Sequence, residues 1–231
     1  MQPDIAGRSW SSYFSVVSVV LLSLSVIAFS DNLFTNTGQR SNSDPKFIIH
    51  GLFGLAWYVL LVTQANLARV RSLRLHKRIG IVTFIVALGV TLSTLYLFIV
   101  LRKDWGDMTP DARANRLLLP AYATCVLLAW WHRTKPSWHK RLVFVGTFFM
   151  LGPVLSRSFE PLIVSWLEPL LSARYTNEVD QLAYLAFFWG VWVSFFLSLA
   201  VYDLKTHQRA HFVTAAGLSW FALAFLFSRF T

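Results

Sequence analysis

The sequence predicts an all-α, polytopic membrane protein, a single transmembrane bundle of seven helices over residues 1–231. The 231-residue chain is 55% hydrophobic and only 14% charged, whereas an average soluble domain has about 25% charged residues. Long runs without Asp, Glu, Lys or Arg alternate with short charged breaks. None of these runs alternates between apolar and polar residues in the way a membrane barrel requires.

Each predicted helix follows one uncharged run, because a helix needs about 20 residues to cross the hydrocarbon core. The fourth and fifth runs are short. The fourth run can still form a span if the Arg116 side chain extends its guanidinium group to the membrane surface. We expect the fifth helix to continue through Arg157 toward Trp166. The predicted helices are 10–30, 47–68, 78–101, 115–132, 140–166, 181–203 and 209–229.

The first run has two interpretations. Ala28-Phe29-Ser30 resembles a signal-peptide cleavage site. However, the apolar stretch before it is longer than a usual signal core, and Arg8 is the only basic residue that precedes it. We therefore expect an uncleaved first helix.

Basic residues are concentrated in three turns, 69–78, 132–141 and 203–211. If these turns and the N-terminus face the cytoplasm, that side holds 12 Lys and Arg, and the other side holds eight, balanced by eight Asp and Glu. The bias predicts the N-terminus inside and the C-terminus outside. It also accounts for the net charge of +10 without nucleic acid. The expected partners are the lipid bilayer and anionic headgroups at its inner face.

The three basic turns share a short motif. His76-Lys77-Arg78-Ile79 and His139-Lys140-Arg141-Leu142 open the third and fifth predicted helices, and His207-Gln208-Arg209 opens the seventh more loosely. Such repetition is typical of duplicated helix pairs, but positive residues at inner helix ends also produce it.

These motifs occur in a particular order along the chain. The first motif comes after His50 and after Trp57 and Gln64, which are separated by six residues. The last motif lies within the segment that begins with Asp203-Leu204 and ends at His211. From His50 onward, this order resembles a group of uncharacterised bacterial inner-membrane proteins of similar length. The resemblance implies seven helices and a bacterial inner (plasma) membrane, and it implies no activity.

Five of the six histidines lie at the inner helix ends, namely His76, His132, His139, His207 and His211. His207 and His211 are spaced i, i+4, with Asp203 one turn earlier, so the two imidazoles can share a metal ion. His76 or His139 could supply a third ligand if the third, fifth and seventh helices converge.

Three functions are compatible with these histidines. Two of them from different helices could ligate a b-type haem. Three could hold zinc in a membrane hydrolase, because the orientation and the H-x-x-x-H spacing resemble the seven-helix hydrolase superfamily of adiponectin receptors and alkaline ceramidases. The chain lacks that superfamily's Ser-x-x-x-His in the second helix and its Asp in the third. The third interpretation, a non-enzymatic membrane component whose histidines meet water and headgroups, is the one the sequence favours.

Other polar and aromatic residues near or within the spans are further candidates. Arg157 and Glu160, at i, i+3, are predicted to form an ion pair, and His50 to hydrogen-bond inside the bundle, to a serine of the first helix. Four tryptophans near mid-span could line a pocket for a flat ligand such as haem or quinone, or simply pack in the bundle. They are Trp57, Trp189, Trp192 and Trp220.

Overall fold

The computed structural model describes residues 12–171 and 177–231. Over these residues the protein is 87% helical and has no strand, which confirms the all-α prediction. The helices are α1 (Tyr13–Ala28), α2 (Pro45–Arg69), α3 (Leu73–Val100), α4 (Pro110–Trp131), α5 (Pro136–Phe149), α6 (Gly152–Phe159), α7 (Ser165–Leu171), α8 (Asn177–His207) and α9 (Phe212–Phe230). Short turns join several of them, two π-helical (Asp31–Thr35, Glu160–Val164) and two 3-10 (Arg40–Asn42, Trp105–Asp107).

By length and composition, several of these helices are candidates for membrane spans. Four helices, α2, α3, α8 and α9, are long and apolar enough to cross a membrane, and α5 with its continuation makes a fifth if the bent pair is one span. Within the described residues α1 is apolar but has only 16 residues, and α4 carries Asp111, Arg113 and Arg116 near its start. The predicted start of the first helix, residues 10 and 11, lies outside the described residues.

Several helices begin before the apolar runs predict. α4 and α5 start at Pro110 and Pro136, because proline suits the first helical turn, where its missing N–H is not needed. The carboxylate of Asp44 accepts a hydrogen bond from the Lys46 amide at the start of α2. The motif His-Lys-Arg therefore lies inside the first turns of α3 and α5 rather than before them.

The prediction of one continuous helix over 140–166 is wrong. α5 ends at Phe149, and the chain bends by 51° before it continues from Gly152. Pro153 causes this break, because it has no N–H to donate and its ring excludes the preceding helical turn.

The first five helices form a closed ring. Each packs on the next along the chain, and α5 returns to α1, where the ring centroids of Phe144 and Phe14 are 4.9 Å apart. α8 and α9 pack outside α5 through an aromatic core. At its centre Trp192 is fully buried, and its indole N–H donates to the Phe148 carbonyl at 2.7 Å.

The three basic turns lie at the same end of the bundle. The ring centroids of His76 and His139 are 6.2 Å apart, which joins the first turn to the second. Those of Trp138 and His211 are 5.3 Å apart, which joins the second to the third. We call this the basic end.

Close packing at Gly217 supports a stability prediction. A Cβ at this position would lie 2.4 Å from Val145 Cγ1, and the stiff valine cannot move away from α9 without shifting α5. We expect Gly217→Ala to lower the free energy of unfolding by about 1–3 kcal/mol, measured by denaturant unfolding in detergent.

Gly190 provides the matched control. It is an exposed glycine within α8, and nothing lies within 4 Å of a Cβ placed there. Gly190→Ala should raise stability by about 0.5–1 kcal/mol, because alanine loses less backbone entropy in a helix. Equal effects of the two substitutions would contradict the close approach at Gly217.

Candidate functional site

A large cavity opens at the basic end, between α1, α2, α3, α4 and α5. Its volume is about 910 Å³, within the usual range for cofactor and small-molecule sites. Its wall is mainly apolar and includes Phe14, Leu61, Phe84, Val126 and Phe144. Polar and charged side chains are few, and they lie at definite positions on this wall.

His76 and His139 are two of these polar residues. They come from α3 and α5, and their rings are nearly perpendicular, with an interplanar angle of 86°. His139 Nδ1 donates to the Ala129 carbonyl at 2.9 Å, and His76 Nδ1 lies 3.3 Å from the Gln64 carbonyl.

These hydrogen bonds determine which ring nitrogen carries the proton. A main-chain carbonyl can only accept, so both histidines carry their hydrogen on Nδ1 when neutral. The other nitrogen, Nε2, then has a free lone pair. Both residues line the cavity, which therefore has two potential metal-ligating nitrogens from different helices.

Four cations line the cavity at its basic end, and they come from four helix ends, those of α2, α3, α4 and α5. Arg69, Lys77 and Arg133 are exposed to solvent, whereas Lys140 is half-buried. The Lys140 ammonium donates to the Tyr202 hydroxyl at 2.7 Å and lies 4.8 Å from the centre of the Phe14 ring. The mouth thus suits an anionic group attached to an apolar body.

Two residues that line the cavity each have a buried polar atom with no hydrogen-bond partner among the described residues. The two atoms are Trp57 Nε1 and Gln64 Oε1, on side chains that are 4% and 9% exposed. An unpartnered buried group costs about 1–3 kcal/mol. Both atoms are covered by the surrounding protein, so they are unpaired within the packed wall and do not face the cavity.

The structure separates the predicted histidine cluster into two places. His207 and His211 lie apart from the cavity, around a smaller one of about 280 Å³ shared with Ser137 and Arg209. α8 ends at His207, and Gln208 adopts a φ of 60°, so the i, i+4 helical face predicted for the two histidines is wrong. Within residues 12–171 and 177–231, no three His, Cys, Asp or Glu side chains converge on a metal position.

Asp203 pairs with an arginine instead of serving the histidines. Arg141 Nε and Nη2 donate to Asp203 Oδ1 at 2.8 and 2.5 Å, and neither side chain is exposed. Asp203 Oδ2 accepts from the His211 amide at 3.0 Å and from the Thr214 hydroxyl at 2.6 Å. One carboxylate thereby ties α5, α8 and α9 together.

Sequence reasoning missed this pair. Arg141 looks like one more basic residue of an inner turn, and Asp203 like the end of an apolar run. The available signal was that Asp203 is an acidic residue on the strongly basic side of the chain, where a carboxylate needs a cationic partner.

The remaining candidates have other partners than predicted. Both Arg157 and Glu160 are described, and they do not form the predicted ion pair: Arg157 Nη1 donates to Asn32 Oδ1 at 3.4 Å, and its guanidinium lies 4.9 Å from the Phe29 ring centre. His50 does bond inside the bundle, but to Ser93 of α3 at 3.1 Å rather than to the first helix.

The four mid-span tryptophans divide between the two alternatives, pocket lining and packing in the bundle. Trp57 lines the cavity. Trp189 and Trp192 instead pack against Phe225 in the aromatic core, with ring centroids 4.6 and 5.4 Å from it. Trp220 is 45% exposed on the outer surface of α9, where lipid is its expected contact.

Protonation of His211 is expected to make the stability of the folded state depend on pH. Its Nδ1 accepts a hydrogen bond from the Val213 amide at the start of α9, so the folded state requires that nitrogen unprotonated. Burial, followed by the nearby Arg141 cation, lowers the pKa of His211 below its usual value. At a pH well above the usual histidine pKa of about 6.5, the residue is neutral in both states.

Below that pH the unfolded chain binds a proton that the folded state resists, so stability should fall as the pH falls. His211→Asn keeps a good helix cap but cannot titrate. We expect thermal unfolding between about pH 7 and pH 5 to show a smaller decrease in melting temperature for the variant than for the wild type. Identical pH profiles would show that His211 does not contribute.

Comparisons with protein-family models, with curated proteins and with solved structures found no match.

Proposed function

We propose that this chain is a multi-pass protein of the bacterial inner membrane that binds a b-type haem between His76 and His139. The observation that supports this most directly is the ring-centroid separation of 6.2 Å beside an apolar cavity. Two opposed imidazoles about 2.0–2.1 Å from one metal have ring centres roughly 6 Å apart. The perpendicular ring planes are compatible, because each plane has only to contain the axis between nitrogen and metal.

The hydrogen bonds of the two histidines suit this role. Metal-binding histidines usually donate their other N–H to a carbonyl or carboxylate, which holds the ring in position and makes the ligating nitrogen more basic. The carbonyls of Ala129 and Gln64 are placed to do this for His139 and His76. Neither ring needs to change tautomer in order to ligate.

The rest of the cavity suits a porphyrin. The apolar wall can cover the faces of the macrocycle, and the four cations at the mouth can pair with two propionates. When bound, haem would supply reversible one-electron chemistry. We therefore propose a non-enzymatic electron-transfer component, with Arg69, Lys77, Arg133 and Lys140 as the residues that orient the cofactor.

The zinc-hydrolase alternative has less support. A catalytic zinc site uses three protein ligands and an open position. Among the described residues no such group of three converges, and the cavity that holds His76 and His139 is mainly apolar.

We further propose seven spans, with α1 and α4 completing the set and the N-terminus inside. The gathering of the three basic turns at one end supports this orientation, since the positive-inside rule needs them on one side. Exposed cations at that end, including Arg74, Arg78 and Arg133, are suited to anionic headgroups. These lipids are the expected partners of the inner face.

Titration with haemin tests the proposed function. The purified protein in detergent should bind one equivalent and give the absorption spectrum of a six-coordinate, bis-histidine haem, in both ferric and dithionite-reduced forms. A five-coordinate spectrum, or binding no stronger than to empty micelles, would refute axial ligation by both histidines. Metal analysis of the protein as purified provides an independent readout.

A further inference from the structure

We infer that the small cavity between the second and third basic turns is a binding site for a phosphate group. Ser137, Arg209 and His211 line it together with His207, and its volume is about 280 Å³. Small-molecule sites usually have roughly 300–1,000 Å³, so this cavity suits a small group rather than a cofactor. It is separate from the proposed haem cavity, and neither proposal depends on the other.

His211 offers one donor of known position. Its Nδ1 accepts a hydrogen bond from the Val213 amide at 3.2 Å. An amide N–H can only donate, so the neutral ring carries its hydrogen on Nε2. No described residue accepts from Nε2, and this nitrogen is not among the covered polar atoms of the described chain. His211 therefore has an accessible N–H beside the cavity without needing a second proton.

Ser137 offers a second donor. Arg141 Nη1 donates to Ser137 Oγ at 2.8 Å and to the Ser137 carbonyl at 2.7 Å. A guanidinium has no acceptor, so this contact leaves the hydroxyl hydrogen free for a ligand. The buried Asp203 carboxylate holds Arg141 on one side and the His211 amide on the other. One buried network thereby positions both donors.

Arg209 adds a permanent charge that no protein carboxylate neutralises. Asp203 is the only acidic residue in the three basic turns. Its two oxygens already accept four hydrogen bonds, none of them from Arg209. Arg209 forms no ion pair with any described carboxylate. The counterion available to it at this cavity is an external anion.

Three donors without a fixed acceptor select an oxyanion. They come from the first turn of α5, the turn after α8 and the start of α9. Donors from three separate elements suit a tetrahedral phosphate better than a planar carboxylate, and a guanidinium binds phosphate with two parallel hydrogen bonds. The ring of His207 makes no hydrogen bond to a described residue that would fix its proton, so we assign the site to the other three.

The position of the site favours the phosphate of a membrane lipid over one in solution. α8 and α9 are both candidate spans, and the cavity lies where the first ends and the second begins. Phe212 follows His211 directly and is 70% exposed, so an apolar surface adjoins the donors. This site differs from the general attraction of headgroups to exposed cations because it requires particular hydrogen bonds.

Phosphorus-31 NMR tests the inference on the purified protein in a maltoside detergent, which contains no phosphorus. Binding broadens the resonance of inorganic phosphate, and a titration at constant ionic strength gives the affinity. We expect Arg209→Gln, at an exposed position, to weaken binding about 10-fold to 100-fold, the effect of a charged hydrogen bond. Ser137→Ala, which removes a neutral donor, should weaken it about twofold to tenfold.

Arg74→Gln is the matched control. It removes the same charge from an exposed position of the basic end that lines neither cavity. It should leave the affinity for phosphate unchanged. Equal weakening in Arg74→Gln and Arg209→Gln, or no broadening with the wild type, would overturn the inference.

A second probe distinguishes a lipid from free phosphate. We expect dihexanoyl phosphatidic acid to bind at least about tenfold more tightly than inorganic phosphate, because its chains cover apolar surface beside the site. Phe212→Ser should reduce this advantage and leave binding of inorganic phosphate unchanged. Equal affinities for the two probes would overturn the lipid source and assign the cavity to a free phosphate.

The phosphate site and the haem site can fail separately. Arg209→Gln should bind haemin like the wild type, and His139→Ala should bind inorganic phosphate like the wild type. Phosphate binding that persists in His139→Ala supports the inference even if haemin titration fails. Loss of phosphate binding in folded His139→Ala would place the phosphate in the large cavity and overturn the inference.

Discussion

Replacing Asp203 with alanine is expected to lower the free energy of unfolding by about 3–5 kcal/mol, because it leaves Arg141 as a buried charge without its counterion. The loss is large for a second reason: the His211 amide and the Thr214 hydroxyl also donate to this carboxylate. Unfolding in detergent, followed by denaturant titration or by thermal melting, measures the effect.

The double variant Arg141→Met with Asp203→Leu is the informative comparison. It removes both charges together, so it should recover a large part of the lost stability. Asp104→Ala, at an exposed loop position, should change stability by no more than about 0.5 kcal/mol. A loss below about 1 kcal/mol in Asp203→Ala would contradict a buried pair, whose disruption costs several times more.

Replacing either cavity histidine with alanine is expected to weaken haem binding by more than about 100-fold, because losing a ligand should cost more than losing a residue that only supports one. The six-coordinate spectrum should become five-coordinate in His76→Ala and in His139→Ala. Added imidazole should restore the spectrum, since it can occupy the space that the side chain has left.

His207→Ala is the matched control, because His207 is exposed at the end of α8 and does not line the large cavity. It should bind haemin like the wild type. A spectrum unchanged in His76→Ala, or lost in His207→Ala, would show that the histidines have been assigned to the wrong site.

The helices were predictable because long apolar runs allow little else in a membrane, and the gathering of the basic turns followed from the charge pattern. The grouping of histidines was predictable only in part. His76 and His139 meet because their turns adjoin, but His207 and His211 do not share a helix. Between them, Gln208 has a left-handed backbone conformation that ends the helix. This position is not a glycine, so the sequence gives no sign of the break.

Contacts between distant side chains were not predictable from local pattern. Arg141 and Asp203 are 62 residues apart, and nothing in either segment alone specifies the other. The partner of Arg157 could not be predicted either, because the break at Pro153 turns α6 toward α1, and Asn32 lies in the turn that follows α1. Whether a buried atom such as Trp57 Nε1 finds a hydrogen-bond partner depends on packing in three dimensions, which the periodicity of the sequence does not encode.

The pairing of Arg141 with Asp203 has a consequence for how the protein is made. The ribosome adds about 5–20 residues per second, so Asp203, 62 residues later, follows Arg141 by roughly 3–12 seconds. During that interval Arg141 of α5 is charged, and its counterion Asp203 has not yet been synthesised. We therefore expect α5 to remain near the interface or beside the insertion machinery until α8 arrives, so that the two halves of the bundle lock together late in synthesis.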